Sequence, residues 1–221
     1  MATSAMRARE EVLQRIRRAS PSKPDAEAIA SEWERIDRRY QRTGELGREA
    51  VLDQLEDRLR DYDAHVERVT RADLTGTIGD LLATRHVVRM VVPNGLVEAI
   101  GAELPAGFEF IEDHTVSATD LDAMDGVLTG CTVAISQTGS LVLQHVRGQG
   151  RRAPTLVPDY HLCVVHEADV VETVPEAMAR LQLTATLATT FISGPSATAD
   201  IEMTRIKGVH GPRFLDVILV T

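Results

Sequence analysis

The amino-acid sequence predicts an α/β fold, in which a sheet with parallel members and at least one antiparallel hairpin follows a helical N-terminal segment. Three observations lead to this prediction. Up to residue 70, apolar residues recur every three or four positions, which is the spacing of amphipathic helices. From Thr75, short apolar runs alternate with short helical patterns, the order that builds parallel β-α-β units. The four residues 137–140 join two apolar runs tightly enough for a hairpin.

Three helices are predicted before residue 70. The first spans residues 6–19, and the second follows Asp25. The apolar stripe of the second consists of Ile29, Trp33, Ile36 and Tyr40. The longest apolar seam belongs to the third and consists of Leu52, Leu55, Leu59, Tyr62, Val66 and Val69. Such a seam must be buried against its own domain or against another chain, and packing on its own domain is the expected outcome.

The remaining elements are predicted from short apolar runs and turn residues. The helical patterns are residues 78–82, 96–100, 120–124 and 175–181. The strand patterns are residues 86–92, 108–111, 132–135, 141–144, 161–165, 189–193 and 215–220. Residues 145–160 have no apolar period and contain several glycines and prolines, so they are predicted to form a loop.

Length and composition indicate one substantial core with an appended helical piece. The chain has 221 residues, of which 43% are apolar and 26% charged, as in ordinary globular proteins. We predict a helical extension over residues 1–70 that packs on the core, and an α/β domain over residues 71–221. No apolar run reaches the length of a membrane span, and residues 1–18 carry charge throughout, so the expected location is the cytoplasm.

Charge and cysteine content narrow the classes of partner and cofactor. Acidic residues outnumber basic ones by 33 to 24, and the net charge of −9 argues against a nucleic acid as the main partner. The two cysteines, Cys131 and Cys163, lack the spacing of a cluster or zinc motif and are expected to be small buried apolar residues. A set of polar residues near two predicted strand ends consists of His145, Asp159, His161, His166 and Glu167. Their spacing matches no metal motif, so we predict no metal site.

Three polar, glycine-rich loops follow predicted strands and are the best candidate site. They cover residues 136–140, 193–202 and 208–212, and we expect them to converge at strand ends around a small anionic ligand. The candidate ligand-binding residues are Gln137, Thr138, Gly139, Ser140, Gly194, Pro195, Ser196, Thr198 and Gly211. The candidate catalytic residues are Asp200, Glu202 and His210.

The chemistry of these loops has two interpretations. Ser196 or Thr198 would cap a following helical turn, whose free backbone N–H groups attract phosphate or carboxylate. His210 would then act as a general acid or base. Alternatively the same residues form ordinary turns, because glycine, serine and threonine are common in all turns. Arg147, Arg151 and Arg152 form a basic cluster that either draws an anion or belongs to a solvated loop.

Sequence signatures of several enzyme classes are missing. The chain has no G-x-S-x-G elbow, no H-E-x-x-H, no Walker loop, and no G-x-G-x-x-G after a strand. These absences weaken interpretations as a serine hydrolase, a zinc protease, a kinase or a dinucleotide-binding enzyme.

Two long motifs resemble a known family. The first is GCTVAISQTGSLVL from Gly130, followed by Arg151-Arg152 and by Pro158-x-x-His161. The second is ISGPSATADIE from Ile192, followed by GVHGP and a terminal VILV. In this order they resemble the LUD domain of the lactate utilization protein C (LutC) family, from about residue 126 to residue 220 and more loosely back to about residue 87.

The resemblance implies a fold and a role. The fold would be a Rossmann-type sheet with helices on both faces, as in the NagB/RpiA/CoA-transferase superfamily. The role would lie in the oxidation of L-lactate to pyruvate, beside partner proteins that carry iron–sulfur clusters. We therefore expect an accessory subunit that binds no cofactor of its own, takes a small anionic ligand and has iron–sulfur subunits as partners. A homodimer is a further expectation.

One departure from the family pattern concerns Gln137. Relatives usually have a glutamate at this position, and the related CoA transferases use a glutamate in a comparable turn as a nucleophile. An amide cannot attack an acyl group as a carboxylate does, so Gln137 is left as a hydrogen-bonding ligand. The alternative function is an independent CoA-transferase-like enzyme acting on a CoA ester, a folate or a sugar phosphate. A third alternative is a structural dimer built on the seam of residues 52–69.

Overall fold

The structure is a computed structural model that describes residues 2–20, 25–199, 205–208 and 210–221. It divides into two compact units, Met1–Tyr40 and Gln41–Thr221. The first unit contains α1 (Ala2–Ala19) and α2 (Ala26–Arg35). The carboxylate of Asp25 caps α2 by accepting a 3.3 Å hydrogen bond from the backbone N–H of Glu27. The second helix was predicted to continue to Tyr40. This prediction is wrong, because the helix ends at Arg35 and the backbone of Ile36 is extended.

The second unit contains the remaining elements. Its helices are α3 (Arg48–Asp61), α4 (Leu74–Thr84), α5 (Leu96–Ile100), α6 (Ala118–Asp122) and α7 (Val174–Leu181). Its first strands are β1 (His65–Val69), β2 (Arg89–Val92), β3 (Glu109–Glu112), β4 (Gly126–Thr129), β5 (Val133–Ile135) and β6 (Ser140–Gln144). The later strands are β7 (Tyr160–His166), β8 (Val170–Val171), β9 (Thr189–Ile192), β10 (Ala197–Ala199), β11 (Arg205–Lys207) and β12 (Phe214–Val220).

These strands form three sheets. The main sheet has six parallel strands in the order β1-β12-β7-β4-β2-β3. A second sheet has the order β8-β5-β6-β9, in which β6 pairs antiparallel with both β5 and β9. The third is the antiparallel pair β10-β11. The predicted α/β fold with parallel members and one hairpin at residues 137–140 is therefore confirmed.

Helices cover both faces of the main sheet. Successive residues of a strand point to opposite faces, so the two faces can be followed along β7. Cys163 and Val165 pack with α3 and with residues of the second sheet, in a cluster that includes Leu55 and Leu141. Leu162 and Val164 pack with α4 and α5 in a separate cluster. The main sheet is thus buried on both sides, as parallel sheets require.

The third predicted helix is shorter than its apolar seam. Leu52, Leu55 and Leu59 are at most 1% exposed and lie in the core, so the seam packs on its own unit. The helix ends at Asp61, the backbone of Asp63 adopts φ of 65°, and Val66 and Val69 lie in β1 instead. The helical prediction for Tyr62, Val66 and Val69 is wrong because β-branched valines suit a strand and share the helical spacing only by chance. The division predicted at residue 70 falls between β1 and α4, and the packing of residues 1–40 on the core stays a prediction.

Short strands account for the remaining differences. Strand β4 lies between β7 and β2 in the main sheet, but its four residues carry no recognisable pattern because all are buried. Strands β8, β10 and β11 were likewise not predicted, and each has only two or three residues. Within the described ranges, no helix combines the length and the apolar character needed to cross a membrane.

Candidate functional site

The first two candidate loops meet because β6 pairs with both β5 and β9. Residue Ser140 begins β6, and its neighbour Leu141 is in register with Ile192 at the end of β9. This register places the hydroxyl oxygens of Ser140 and Ser193 2.7 Å apart. The hydroxyl of Thr138 donates to that of Ser140 at 2.8 Å. A continuous chain of three hydroxyl groups therefore joins the two loops.

The third loop is attached to the second at Ser196. The backbone N–H of Ser196 donates to the carbonyl of Pro212 at 2.8 Å, and its own carbonyl accepts from Gly208 at 2.9 Å. The Ser196 hydroxyl accepts a 2.9 Å hydrogen bond from the backbone N–H of His210. These three hydrogen bonds hold residues 208–212 against Ser196. The Ser196 hydroxyl therefore helps to connect the second and third loops.

The predicted helical turn after Ser196 is wrong over residues 197–199. These residues form β10, which pairs antiparallel with β11 in the register Ala197↔Lys207. Serine, threonine and aspartate are favoured both at helix caps and in turns, so their presence did not distinguish the two structures. Thr198 lies in β10. Asp200 and Glu202 lie outside the described residues.

A cleft of about 240 Å³ lies where the second and third loops meet. Its lining includes Gly194, Pro195, Ser196, His210 and Gly211, together with Ser193, Thr155 and Arg152. The Arg152 guanidinium donates to the carbonyl of Thr155 at 2.9 Å and to its hydroxyl at 2.8 Å, which fixes the side chain at the cleft. Burial lowers the pKa of Arg152, but a guanidinium remains charged in proteins, so the cleft carries a positive charge.

Two of the candidate glycines are explained by close packing against the C-terminal end of α3. A Cβ atom at Gly139 would lie 2.8 Å from the backbone of Arg58, and one at Gly194 would lie 2.5 Å from the Cβ of Tyr62. Both glycines also have positive φ, 58° and 76°. Any side chain would clash at these positions, so the turns after β5 and β9 need glycine to reach α3.

The LUD domain profile matches residues 52–220, which include all three sheets and all three loops. The chain belongs to the LUD domain family. A lactate utilization protein C from Deinococcus radiodurans is 43% identical over 178 residues, covering 79% of this chain and 82% of that protein. A protein of the same name from Halalkalibacterium halodurans is 32% identical over 109 residues, covering 45% of this chain and 47% of that protein.

A solved structure has the same fold. The crystal structure of a DUF162 family protein from Deinococcus radiodurans aligns with a TM-score of 0.69 and 40% sequence identity. The alignment covers 80% of this chain and 100% of that one. The similarity therefore extends well beyond the two motifs around the loops of this LUD domain.

Gln137 lies apart from the cleft of this LUD domain. It occupies a 3-10 turn, Ser136–Thr138, where its backbone N–H donates to the carbonyl of Glu172 at 3.0 Å and its side chain is exposed. The neighbouring Ser136 hydroxyl donates to the Gln54 side chain of α3 at 2.7 Å. The structure thus brings together residues 138–140 with Ser193, and Ser196 with the third loop, but directs residue 137 towards solvent.

His161 lies buried in β7. Its Nε2 atom is 2.8 Å from the hydroxyl oxygen of Thr129. Burial lowers the pKa of His161 to about 3, and the positive charge of Arg152 adds to this effect. The imidazole is therefore neutral near pH 7, and its role is a hydrogen bond within the core.

The other residues considered for a metal site are separated. Glu167 pairs with Arg48 at 3.0 Å, and Asp159 pairs with Arg213 at 3.3 Å. In the part of the chain that the structure describes, no three His, Cys, Asp or Glu side chains are grouped to hold a metal ion.

Three polar residues that line the cleft, Arg152, Thr155 and Ser193, were missing from the candidate binding residues. Arg152 was noted only as one of three arginines in a loop, because its place depends on the irregular path of residues 145–159. Ser193 ends the predicted strand 189–193, and its hydroxyl joins the chain to Ser140. A hydroxyl residue at the end of a strand, just before Gly194, was the signal that would have identified it.

Proposed function

We propose that this chain is an accessory subunit, without an iron–sulfur cluster of its own, of a system that oxidises L-lactate to pyruvate. Relatives named lactate utilization protein C, one of them 43% identical, support a role in lactate utilization. The observation that carries the accessory role is the cysteine content. Clusters take four thiolate ligands, whereas this chain has only Cys131 and Cys163.

The state of the two cysteines supports the same proposal. Burial raises the pKa of the Cys131 thiol well above its ordinary value, and its hydrogen bond with the neighbouring Cys163 raises it further. Because a thiolate is the form that binds metals, the Cys131 thiol is poorly suited to hold a metal or a cluster. The electrons removed from lactate would pass through iron–sulfur proteins that this chain contacts in the cytoplasm.

The ligand of the proposed subunit is a small anion in the cleft around Arg152. The chain as a whole is acidic, with a net charge of −9, so a fixed guanidinium at a cleft gives a local preference for anions. Ser193 lines the same cleft, and its hydroxyl would supply a further hydrogen bond. Gln137, an exposed amide, offers no nucleophile for the alternative transferase reaction.

Deletion of the gene in the native cells tests the role. Growth on L-lactate and lactate-dependent dye reduction by cell extracts should both be lost, while growth on glucose is retained. A tagged copy should restore both and should co-purify with proteins that contain iron. Normal lactate growth of the deletion strain would contradict the role. Turnover of a CoA ester, folate or sugar phosphate by the isolated chain would instead favour the alternative enzyme.

Variants of the tagged copy test the cleft. Arg152→Gln removes the fixed charge and should abolish restoration of lactate growth while the protein still accumulates. Arg180→Gln is the matched control, because that arginine is exposed on α7 and its guanidinium donates to the carbonyl of Ala168 at 3.1 Å. Equal restoration by the two variants would show that Arg152 is dispensable and would place the ligand elsewhere.

A further inference from the structure

A second candidate ligand site follows from the connections of the main sheet. From β2 the chain passes through α5 to β3 on one side, and then returns through α6 to β4 on the other side of β2. The direction of winding therefore reverses between β2 and β4. In open parallel sheets, ligands bind in the crevice at the carboxyl ends of the strands where this reversal occurs. Here the crevice lies beyond Val92 and Thr129.

The floor of this crevice is a loop that bridges the ends of the two strands. The backbone N–H of Gly130, just after β4, donates to the carbonyl of Gly148 at 2.7 Å. The backbone N–H of Gly148 donates to the carbonyl of Asn94, just after β2, at 2.8 Å. Above this floor lies a cleft of about 510 Å³, a size suited to a small molecule. It is separate from the cleft around Arg152 described above.

Two arginines face this second cleft, and they differ in their partners. Arg151 is held by Asp113 through two hydrogen bonds of 2.7 and 2.8 Å, and by the carbonyl of Val116 at 2.5 Å. Burial alone would raise the pKa of Asp113, but its bonds from Arg151 and Val116 lower it, so the pair is ionic. Arg151 is therefore a fixed part of the wall.

Arg147 carries a positive charge that remains available to a ligand. Its side chain is 72% exposed, and the acidic group paired with it, Glu98, is 4.0 Å away. The guanidinium lies over Gly95, where a Cβ atom would come within 2.7 Å of its Nε atom. A glycine at this position, with φ of 72°, is what allows the cation to lie at the end of β2.

The lining determines the class of ligand. Apart from two histidines, its charged side chains are Asp113, Arg147 and Arg151, which sum to one positive charge. A neighbouring cleft of about 410 Å³ shares Arg147 and is lined in part by Leu96, Leu104 and Phe110. That cleft also contains Glu98 and Glu112, so Arg147 lies between a polar cleft and a mixed cleft that is apolar on the side of Leu104 and Phe110.

We propose that the two clefts beyond the carboxyl end of β2 bind a small organic oxyanion, with its charged group at Arg147 and its apolar part against Phe110 and Leu104. The proposal concerns a different site from the cleft around Arg152 and does not depend on a role in lactate oxidation.

Calorimetric titration of the full-length protein tests the proposal with two probes. Phenyl phosphate should bind saturably with one molecule per chain, and inorganic phosphate should bind more weakly because it lacks the apolar part. Arg147→Gln should weaken phenyl phosphate binding about tenfold or more, as expected for the loss of a charge-assisted hydrogen bond. Arg89→Gln is the matched control: it removes the same charge at the opposite end of β2, where Arg89 pairs with Glu109 at 3.2 Å. That control should change the binding less than about twofold.

Three outcomes would overturn the proposal. One is the absence of saturable binding to the unmodified protein, and another is unchanged binding by Arg147→Gln. The third is an equal loss in Arg89→Gln, which would indicate general attraction to the surface charge. Arg147 is largely exposed, so its variant should fold, and equal urea midpoints for all three proteins would verify this. The readout here is phenyl phosphate binding by the purified protein and not growth on lactate, which separates this test from that of the proposed function.

Discussion

His161 links the folding of this domain to pH. The pKa of His161 is about 3 in the folded chain because of burial and the nearby charge of Arg152, against an ordinary value of 6.5 when unfolded. As pH falls, the unfolded chain therefore takes up the proton first. The stability contributed by the neutral imidazole is complete above about pH 6.5 and is lost between about pH 6.5 and 3.

The variant His161→Gln tests this linkage, because glutamine can retain a hydrogen bond to Thr129 but does not titrate. From about pH 6 to 5, the free energy of unfolding of the unmodified protein should fall more steeply than that of the variant, by about 1.4 kcal/mol per pH unit. Urea unfolding at several pH values measures both slopes. The same substitution at exposed His65 controls for loss of an imidazole, and parallel curves for the protein and its His161 variant would refute the linkage.

Asp216 is a buried carboxylate at the beginning of β12. It accepts hydrogen bonds from Arg85 at 2.5 and 3.0 Å and from the phenol of Tyr160 at 3.0 Å. Burial raises the pKa of Tyr160, and the charge of Asp216 raises it further, so the phenol remains protonated and donates. The three side chains tie α4 to two central strands.

Asp216→Asn should lower the free energy of unfolding by about 3–5 kcal/mol, because it leaves the partly buried Arg85 without its counter-charge. Chemical denaturation followed by circular dichroism measures the loss. Asp159→Asn provides the comparison, since Asp159 and Arg213 are both more than half exposed and their pair should contribute about 1 kcal/mol or less. A similar small effect at both positions would mean that the buried network contributes little.

At the scale of elements, the end of α3 fixes the turns that form the candidate cleft. Gly194→Ala would place a Cβ atom 2.5 Å from Tyr62, at a residue with φ of 76°. Gly107→Ala has a similar φ of 94° but meets no atom within 4 Å, so it isolates the backbone effect. We expect the alanine at 107 to cost about 1 kcal/mol and the one at 194 to cost about 1–3 kcal/mol more.

Thermal or urea unfolding of the two glycine variants measures this difference. The variant at residue 194 should also disturb the Ser140–Ser193 hydrogen bond, because the turn must move away from α3. Equal losses at the two positions would show that the turn after β9 adapts to a side chain, and that α3 does not fix the cleft.

The same elements show what could be predicted from the sequence. The hairpin of β5 and β6 was predictable because four turn residues separate two apolar runs. Spacing alone failed at Val66 and Val69, which continue the seam of α3 but pair with β12, a partner far along the chain. Residue types also failed to predict the structure after Ser196, because helix caps and turns favour the same residues. The meeting of the loops was predictable from strand ends, whereas the position of Arg152 depends on a loop without any period.

At the scale of the whole unit, one helix completes the core between two sheets. The cluster around α3 includes Leu141 and Leu143 from the second sheet and Leu215 and Val217 from the main sheet. The leucines of α3 at positions 52, 55 and 59 are at most 1% exposed within it. This unit begins at Gln41, so α3 and β1 belong to it although they precede residue 70.

Two truncated chains test how much of the N-terminal sequence the α/β unit needs. Residues 41–221 should unfold in one cooperative transition, because they retain α3 and β1. Residues 71–221 should not, because removing three buried leucines costs about 2–5 kcal/mol each, which approaches or exceeds the whole stability of a typical domain. Their urea transition should be broad, and they should bind a hydrophobic dye at the core face that α3 normally covers.

The variants Leu55→Ala and Leu46→Ala in the full chain show whether the loss of stability depends on burial in α3, because Leu46 is half-exposed. Cooperative unfolding of residues 71–221 with the same urea dependence as residues 41–221 would instead establish the boundary at residue 70.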